Sequence, residues 1–353
     1  MDDIAEQIEF VKKELRDLPH HKGTEHNIAR LRAKLAVLKD REIEKITKSK
    51  GGGGGGGYMV KKQGDATIVL IGPPSAGKST LINRITNAES KVAPYAFTTV
   101  SVIPGMLIYN EAYIQILDVP GLIQGARMGK GRGKEVLSVA RASDLLIIMT
   151  DVERLDFIDT LKAELEESGI RINKEKPKIK LEKKVDGGLM VFSNIRQDLS
   201  IDTVKSIARE MGFKSGSITL NERITMDQLI DSFSRSRVYI PAIFVINKID
   251  ENKGLEKELR NNGYLTMSAQ NDTDMEEFKQ LIWKTLKFIK VNLTDLTVIM
   301  KEGQTLEDLA DKIGTEFRSK YKTAKIWGSI AKFPGQEVPL TTPLVEGLEV
   351  RFV

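Results

Sequence analysis

The segment Gly72-Pro73-Pro74-Ser75-Ala76-Gly77-Lys78-Ser79-Thr80 contains the eight-residue pattern G-x-x-x-x-G-K-[ST] over Gly72 to Ser79. Backbone N–H groups of such a loop turn inward and cradle phosphate oxygens, and the positive end of the following helix dipole adds to the attraction. Within the pattern, Lys78 reaches the β- and γ-phosphates and the Ser79 hydroxyl holds Mg²⁺. A plain glycine turn would satisfy the same spacing. Here an apolar strand precedes the turn and a helical pattern follows it, which is the context phosphate binding needs.

Three further segments extend this chemistry. Asp118-Val119-Pro120-Gly121 follows the apolar run Ile114–Leu117. It would set a carboxylate facing Mg²⁺ at a strand end and a glycine N–H facing the γ-phosphate, able to sense hydrolysis. Asn247-Lys248-Ile249-Asp250 closes the run Ile243–Ile246. The Asp250 carboxylate can accept from the guanine ring N–H and exocyclic amine. Adenine lacks that edge and would leave a buried charge unmatched. One βα unit later, Ser268-Ala269-Gln270 suits a loop whose backbone contacts the guanine oxygen. Between the phosphate loop and Asp118 lies Phe97-Thr98-Thr99. A threonine there can close over the γ-phosphate and complete the Mg²⁺ shell. Thr99 is the preferred ligand and Thr98 the alternative.

These segments require an α/β scaffold. Thr67–Ile71, Ile114–Leu117, Leu145–Met149 and Ile243–Ile246 read as buried strands of a parallel sheet, with helices from Lys78, over Glu135–Ala142 and over Asp156–Ser168. From about Gly169 to Arg237 the pattern breaks. Residues 171–184 alternate and are crowded with lysine, and helices follow over Ile201–Met211 and Met226–Ser234, as in a small α+β insertion. After Lys290, Val298, Leu306 and Leu309, then Ala324–Trp327 and Glu349–Val353, predict a small β-rich domain with one central helix.

Upstream, Ile4, Ile8, Val11, Leu15 and Leu18 mark one apolar stripe and Ile28, Leu31, Leu35 and Leu38 a second. Pro19 to Gly23 breaks them and Thr24 is a candidate N-cap. The hairpin is rich in Lys and Arg. A solvated charged face over a coiled-coil-like seam is one reading, and RNA contact is the other. Gly51 to Gly57 are seven consecutive glycines. They serve as a linker or as bare backbone lying against another surface.

With 353 residues, the chain is long enough for two to four domains. It has no cysteine, which excludes disulfides and zinc–thiolate sites and fits a reducing cytoplasm. Its histidines, His20, His21 and His26, crowd near the start, so histidine-driven catalysis elsewhere is excluded. The opening residues MDDIAEQIEF are acidic and amphipathic, unlike a signal peptide, and no apolar run is long enough to span a bilayer. The net charge of +5 is a weak pointer to a polyanionic partner.

GPPSAGKST, AFTTVSVIPG, LDVPGLIQGARMGKGRGKEVLSVARASD and NKID together resemble the Obg-related GTPases. The polyglycine run and basic hairpin narrow the resemblance to the developmentally regulated GTP-binding (DRG) proteins. It covers nearly the whole chain and is most specific from Leu117 to Asp144. It implies an α/β fold: a P-loop GTPase (G) domain with an N-terminal helical hairpin, a small α+β insertion and a C-terminal TGS domain of β-grasp form. Lys325-Ile326-Trp327-Gly328 fits the last. The expected boundaries are 1–57 for hairpin and linker, 58–169 with 237–289 for the G domain, 170–236 for the insertion and 290–353 for TGS. The implied cofactors are GTP/GDP and Mg²⁺. The implied partners are the ribosome or its rRNA and a dedicated regulatory protein, with no membrane and no DNA specificity. The implied activity is slow, Mg²⁺-dependent GTP hydrolysis in the cytoplasm, serving a translation-associated switch. The alternative is a nucleotide-gated scaffold for RNA or ribosomes with incidental hydrolysis.

Two positions depart from common patterns. Leu122 follows Gly121 where many small GTPases place a water-orienting glutamine, a substitution that Obg-like proteins share. It leaves Thr99 or backbone groups to position the water. The polar segment before the first TGS strand is also short. Relatives that use potassium often carry Asn in the phosphate loop at the place of Ser75, where K⁺ would compensate charge. The lysine-rich strands at 171–184 are expected to be either an rRNA contact, through Lys178, Lys180 and Lys183, or a solvated hairpin.

Overall fold

The computed structural model describes residues 4–19, 21, 23–48, 64–86, 93–94, 101–119, 132–271, 274–294 and 296–353. Two compact units emerge, Met1–Tyr58 with Glu164–Tyr239, and Met59–Ala163 with Ile240–Val353. In chain order the elements begin α1 (Ile4–Asp17), α2 (Glu25–Lys48), β1 (Ala66–Ile71), α3 (Lys78–Ile85), β2 (Ala93–Pro94), β3 (Ser101–Tyr109), β4 (Ala112–Asp118), α4 (Arg132–Ala142), β5 (Leu145–Asp151) and α5 (Asp156–Glu167). They continue with β6 (Ile170–Ile172), β7 (Ile179–Lys183), β8 (Leu189–Ser193), α6 (Ile201–Glu210), β9 (Gly216–Leu220), α7 (Met226–Phe233), β10 (Val238–Ile240), β11 (Ala242–Asn247), α8 (Glu256–Asn261), β12 (Leu265–Thr266) and α9 (Met275–Thr285). The chain closes with β13 (Phe288–Leu293), β14 (Leu296–Lys301), α10 (Leu306–Ile313), α11 (Thr315–Lys320), β15 (Thr323–Trp327), β16 (Gln336–Pro339) and β17 (Leu348–Phe352).

In the first unit, Ile8, Val11, Leu31 and Leu38 bury the expected seam between α1 and α2, bordered by Ile4, Leu15, Leu18 and Leu35. Thr24 stands just before α2, but its hydroxyl turns back to take the His21 N–H and to donate to the Pro19 carbonyl, so it stitches the turn. The expected solvated outer face of α2 is only partly so. Ala29, Ala33 and Ala36 pack into one cluster with Val204, Ile207, Ala208 and Ile230 of α6 and α7. Alanine lets two helix backbones approach closely, and its short side chain hides this second stripe from a hydrophobic pattern. The same cluster lines one face of a three-stranded sheet of order β7-β9-β8. A charged network ties α2 down: Arg171 donates to Asp231 at 2.6 and 2.8 Å, Arg237 donates to Asp231 at 2.9 Å, and Arg237 pairs with Asp40 at 3.2 Å.

In the second unit the central sheet has the order β12-β11-β5-β1-β4-β3-β2. Five of its strands are parallel, as the continuous apolar runs require, and every residue of β1 and β5 is buried. β3 joins antiparallel to β4, which the sequence pattern did not disclose. The turn is Asn110-Glu111, with φ of 49° and 70°. Left-handed residues there match the twist of the strands they join. No glycine marks the place. Beyond the G sheet, a mixed sheet of order β14-β13-β17-β15-β16 packs on Leu306, Leu309 and Ala310 of α10, the β-grasp form. A capping box starts α10, with Thr305 accepting from the Asp308 N–H and Asp308 from the Thr305 N–H. The expected single central helix is joined by the short α11. Among the described residues no helix is long and apolar enough to cross a membrane.

Candidate nucleotide-binding site

The loop 72–77 leaves β1 and enters α3 through two residues with left-handed backbone. Ser75 has φ 62° and Gly77 φ 92°. A Cβ on Gly72 would lie 2.1 Å from the Met149 carbonyl oxygen, and one on Gly77 would lie 2.1 Å from Asn247 Nδ2. Both glycines are therefore fixed by backbone or side-chain approach. Pro73, Pro74 and the buried Ala76 complete the loop, and Ser79 and Thr80 stand on the first turn of α3. Lys78 folds back over the loop and donates to the carbonyls of Gly72 (3.0 Å) and Pro73 (2.9 Å). Burial pushes its ammonium below the usual lysine range against the opposing pull of Asp118. An anion in the loop would give this buried cation a charged acceptor in place of two neutral ones.

Asp118 ends β4 at the mouth of the sheet, followed by the buried Val119. Its Oδ2 accepts from Ser79 Oγ at 3.2 Å, while Oδ1 is buried with no hydrogen-bond partner among the described residues. Burial pushes this carboxyl above the usual range, partly offset by Lys78 and Ser79. A buried carboxylate oxygen without a partner beside a serine hydroxyl is a hard-oxygen donor set, and it fits Mg²⁺, which keeps waters and phosphate oxygens in the rest of its shell.

Asn247 ends β11 and is buried. Its Nδ2 donates to the Ala76 carbonyl and its Oδ1 accepts from the Ala269 N–H, both at 2.8 Å. One amide thus ties the phosphate loop to the loop after β12. Asp250 is exposed and, with Lys248, Ser268, Ala269 and Gln270, lines a cleft of about 350 Å³ that also reaches Ser75, Gly77, Lys78, Ser79 and Thr80. Three of the segments picked from sequence therefore share one cleft, with Asp118 bonded to its Ser79 wall. Phe97, Thr98, Thr99, Pro120, Gly121 and Leu122 lie outside the described residues, as does the polyglycine run.

With this geometry in hand, comparisons add lineage. A family model described as a 50S ribosome-binding GTPase matches residues 67–184, a model of the C-terminal region of that domain matches 186–288, and a TGS domain model matches 290–353. An uncharacterized GTP-binding protein of Methanocaldococcus jannaschii is 40% identical over 98% of this chain and 91% of its own. Developmentally-regulated G-protein 3 of Arabidopsis thaliana is 36% identical, covering 96% and 95% of the two chains. Developmentally-regulated GTP-binding protein 2 of Homo sapiens is 34% identical over 96% of each. The chain belongs to the developmentally regulated GTP-binding protein family. A DRG protein is a GTP-binding protein built on a GTPase domain with a TGS domain at its end, as the sequence resemblance implied.

The structure also places in this DRG site residues that the motifs did not flag. Arg154, just past β5, donates Nη1 to the Pro74 carbonyl at 2.8 Å and Nε to Asp151 Oδ1 at 3.1 Å, and its Nη2 pairs with Asp151 Oδ2. The Arg154 hydrogen bond holds the buried Asp151 below the usual carboxylate range. Lys248 Nζ lies 3.7 Å from the same carboxylate. Asp151 thus stands between the phosphate loop and the Asn247–Asp250 loop. Glu251 joins the cleft wall, and Arg84 donates to the Ala269 carbonyl at 3.3 Å and to that of Gln270.

Proposed function

We propose that this DRG protein is a slow, Mg²⁺-dependent GTPase in which nucleotide state is a timing signal read by ribosomes. The observation that carries the guanine-nucleotide part is the Asn247 amide clamping the phosphate loop to the Ser268–Gln270 loop, with Asp250 on the wall of the shared cleft. In this reading Gly72 to Thr80 hold the phosphates and Lys78 neutralises the β- and γ-groups. Ser79, Asp118 and Thr99 (or Thr98) hold Mg²⁺, which supplies charge neutralisation at the phosphates when bound. Gly121 senses the γ-phosphate, and Phe97, Val119 and Pro120 belong to the same nucleotide-binding segments. Asn247, Lys248 and Asp250 select guanine, and Ser268 to Gln270 close over it. Leu122 cannot orient water, which supports slow turnover. Ser75 is the place to test for K⁺.

The ribosomal part rests on the 50S ribosome-binding GTPase description of the matching family and on the basic surface of the insertion. A cytoplasmic setting, a dedicated regulatory protein as partner and domain limits at 57, 169, 236 and 289 belong to the same proposal. Single-turnover hydrolysis of GTP and ATP, with and without ribosomes, tests it. The expected result is cleavage of GTP alone, accelerated by ribosomes. Equal use of ATP refutes the guanine assignment. GTP binding with no ribosomal stimulation favours the nucleotide-gated scaffold. Equal rates in potassium and sodium buffers remove the K⁺ assignment.

A further inference from the structure

The three-stranded sheet of the first unit buries one face on α6 and α7, and its other face carries an ordered division of side-chain types. Alternation puts every second residue of a strand on each face. In β7 the outward parity is that of Lys180, shared by the flanking Lys178 and Lys184, all three exposed. In β8 it is that of Met190, 39% exposed, and Phe192, 51% exposed. The register sets these in rows. Lys180 lies opposite Thr219 of the middle strand β9, and Thr219 lies opposite Phe192. Glu182, Ser217 and Met190 form the next row. One edge strand thus sets lysines on either side of a single glutamate, the middle strand carries the hydroxyls of Thr219 and the buried Ser217, and the other edge is an apolar and aromatic column. Strands stand ~4.8 Å apart, so lysine and aromatic columns are about 10 Å apart.

We propose that this open face binds single-stranded RNA, with a base stacked on Phe192 beside Met190 and the adjoining phosphates on the lysine column. A large aromatic half out of a sheet has no packing role on that side, and stacking on an aromatic side chain is how unpaired bases are held. Charge complementarity selects the occupant. Lys178 and Lys184 make no salt bridge within 4.0 Å among the described residues, although Lys184 stands close enough to Glu182 to help hold its carboxyl low, so both ammonium groups can turn to phosphates. A duplex would present backbone to the lysines but no base face to Phe192. The one acidic group in the lysine column, Glu182, pairs with Lys180 at 2.7 Å and accepts from Ser217 at 3.1 Å. Its carboxylate lowers the affinity by occupying a lysine.

The proposal adds a site to the ribosomal reading and does not depend on GTP hydrolysis. Its test is fluorescence anisotropy on the full chain with a labelled 12-mer of oligouridylate, the same strand annealed to its complement, and an acidic peptide of matched length. Single-stranded RNA is expected to bind best. Phe192→Ala and Phe192→Leu should both weaken it about tenfold, since stacking on an aromatic contributes on the order of 1–3 kcal/mol per base. Lys178→Ala with Lys184→Ala should flatten the dependence of affinity on salt. Glu182→Gln should tighten binding, because it frees Lys180 without altering the apolar column. Phe192 lies on the face away from the core, and a melting curve equal to the parent's confirms each variant is folded. Equal binding of single strand and duplex, or an unchanged affinity in Phe192→Ala, overturns the proposal. Full retention by Phe192→Leu together with tighter binding of the acidic peptide assigns the face to a protein partner instead. Loss of RNA binding with ribosomal stimulation intact would separate this site from the ribosomal reading.

Discussion

Replacing Asn247 by alanine removes one side chain and strands two backbone groups. The amide is buried, and both its bonds, to the Ala76 carbonyl and from the Ala269 N–H, are 2.8 Å long. Each buried polar group left without a partner costs about 1–3 kcal/mol. The cleft is open, so water can reach at least one of the two groups, and the lower end applies to each. The sum is about 2–3 kcal/mol, or roughly 30- to 150-fold, because ~1.4 kcal/mol is a factor of ten. Most of this should appear in the nucleotide complex, since the two loops are held together by the ligand and by this amide. The expected outcome is a GDP dissociation rate increased by about two orders of magnitude, with a smaller fall in melting temperature of the nucleotide-free protein. Stopped-flow release of a fluorescent GDP analogue reads it directly. A release rate within threefold of the parent's would refute the clamp, because two orphaned groups would then have had no effect on the complex they join.

Three other outcomes follow from the same geometry. Asp118→Asn should raise the melting temperature of the nucleotide-free protein while weakening Mg²⁺-dependent nucleotide binding. Burial raises the Asp118 pKa in the fold, so ionisation costs stability, and that cost should vanish as pH falls from above the raised value to below the ordinary 3.8. A pH series of melts on parent and variant shows whether the difference closes in acid. Arg154→Ala leaves the buried Asp151 with a backbone hydrogen bond from Glu153 and Lys248 at 3.7 Å, and should cost about 2 kcal/mol in urea unfolding, below the range for a fully buried pair because Arg154 is 38% exposed. The Asp151 carboxyl is held low by Arg154, so its stabilisation is present above pH 3.8 and lost as pH falls through the lowered value, a loss absent from the variant. Ala33→Leu on α2 should cost about 1–3 kcal/mol by overpacking the buried alanine stripe, detectable as faster amide exchange in α2 and α6.

The nucleotide loops were legible because each is a short local pattern whose chemistry is confined to a few consecutive residues. Gly77, Lys78, Ser79 and Asn247, all picked from such patterns, line one cleft. Their coupling was not legible. Arg154 meets Pro74 across 80 residues of chain, and Asn247 meets Ala76 across 171, and no periodicity encodes such a contact. The buried stripe of Ala29, Ala33 and Ala36 was missed for another reason. Alanine contributes little to an amphipathic pattern even when a whole helix face depends on its small size. The β3–β4 hairpin escaped because Asn110-Glu111 takes left-handed backbone without glycine. In the insertion, alternating lysines showed that a strand was present but could not show which aromatic column stood beside it.

The start of β1 carries one more implication. Asp144 accepts the Thr67 N–H at 3.0 Å and pairs with Lys301 at 3.1 Å; Asp65 accepts the Tyr113 N–H at 2.9 Å and pairs with Lys312 at 2.7 Å. Phe288 and Ile299 belong to the same apolar cluster as Ile68 and Leu70 of β1. The proposed limit at 289, like the border between the second and third family matches at 288 to 290, therefore falls at the start of β13. A gene fragment ending there would shed a hydrophobic plug and two cationic partners from the foot of the strand whose head is the phosphate loop.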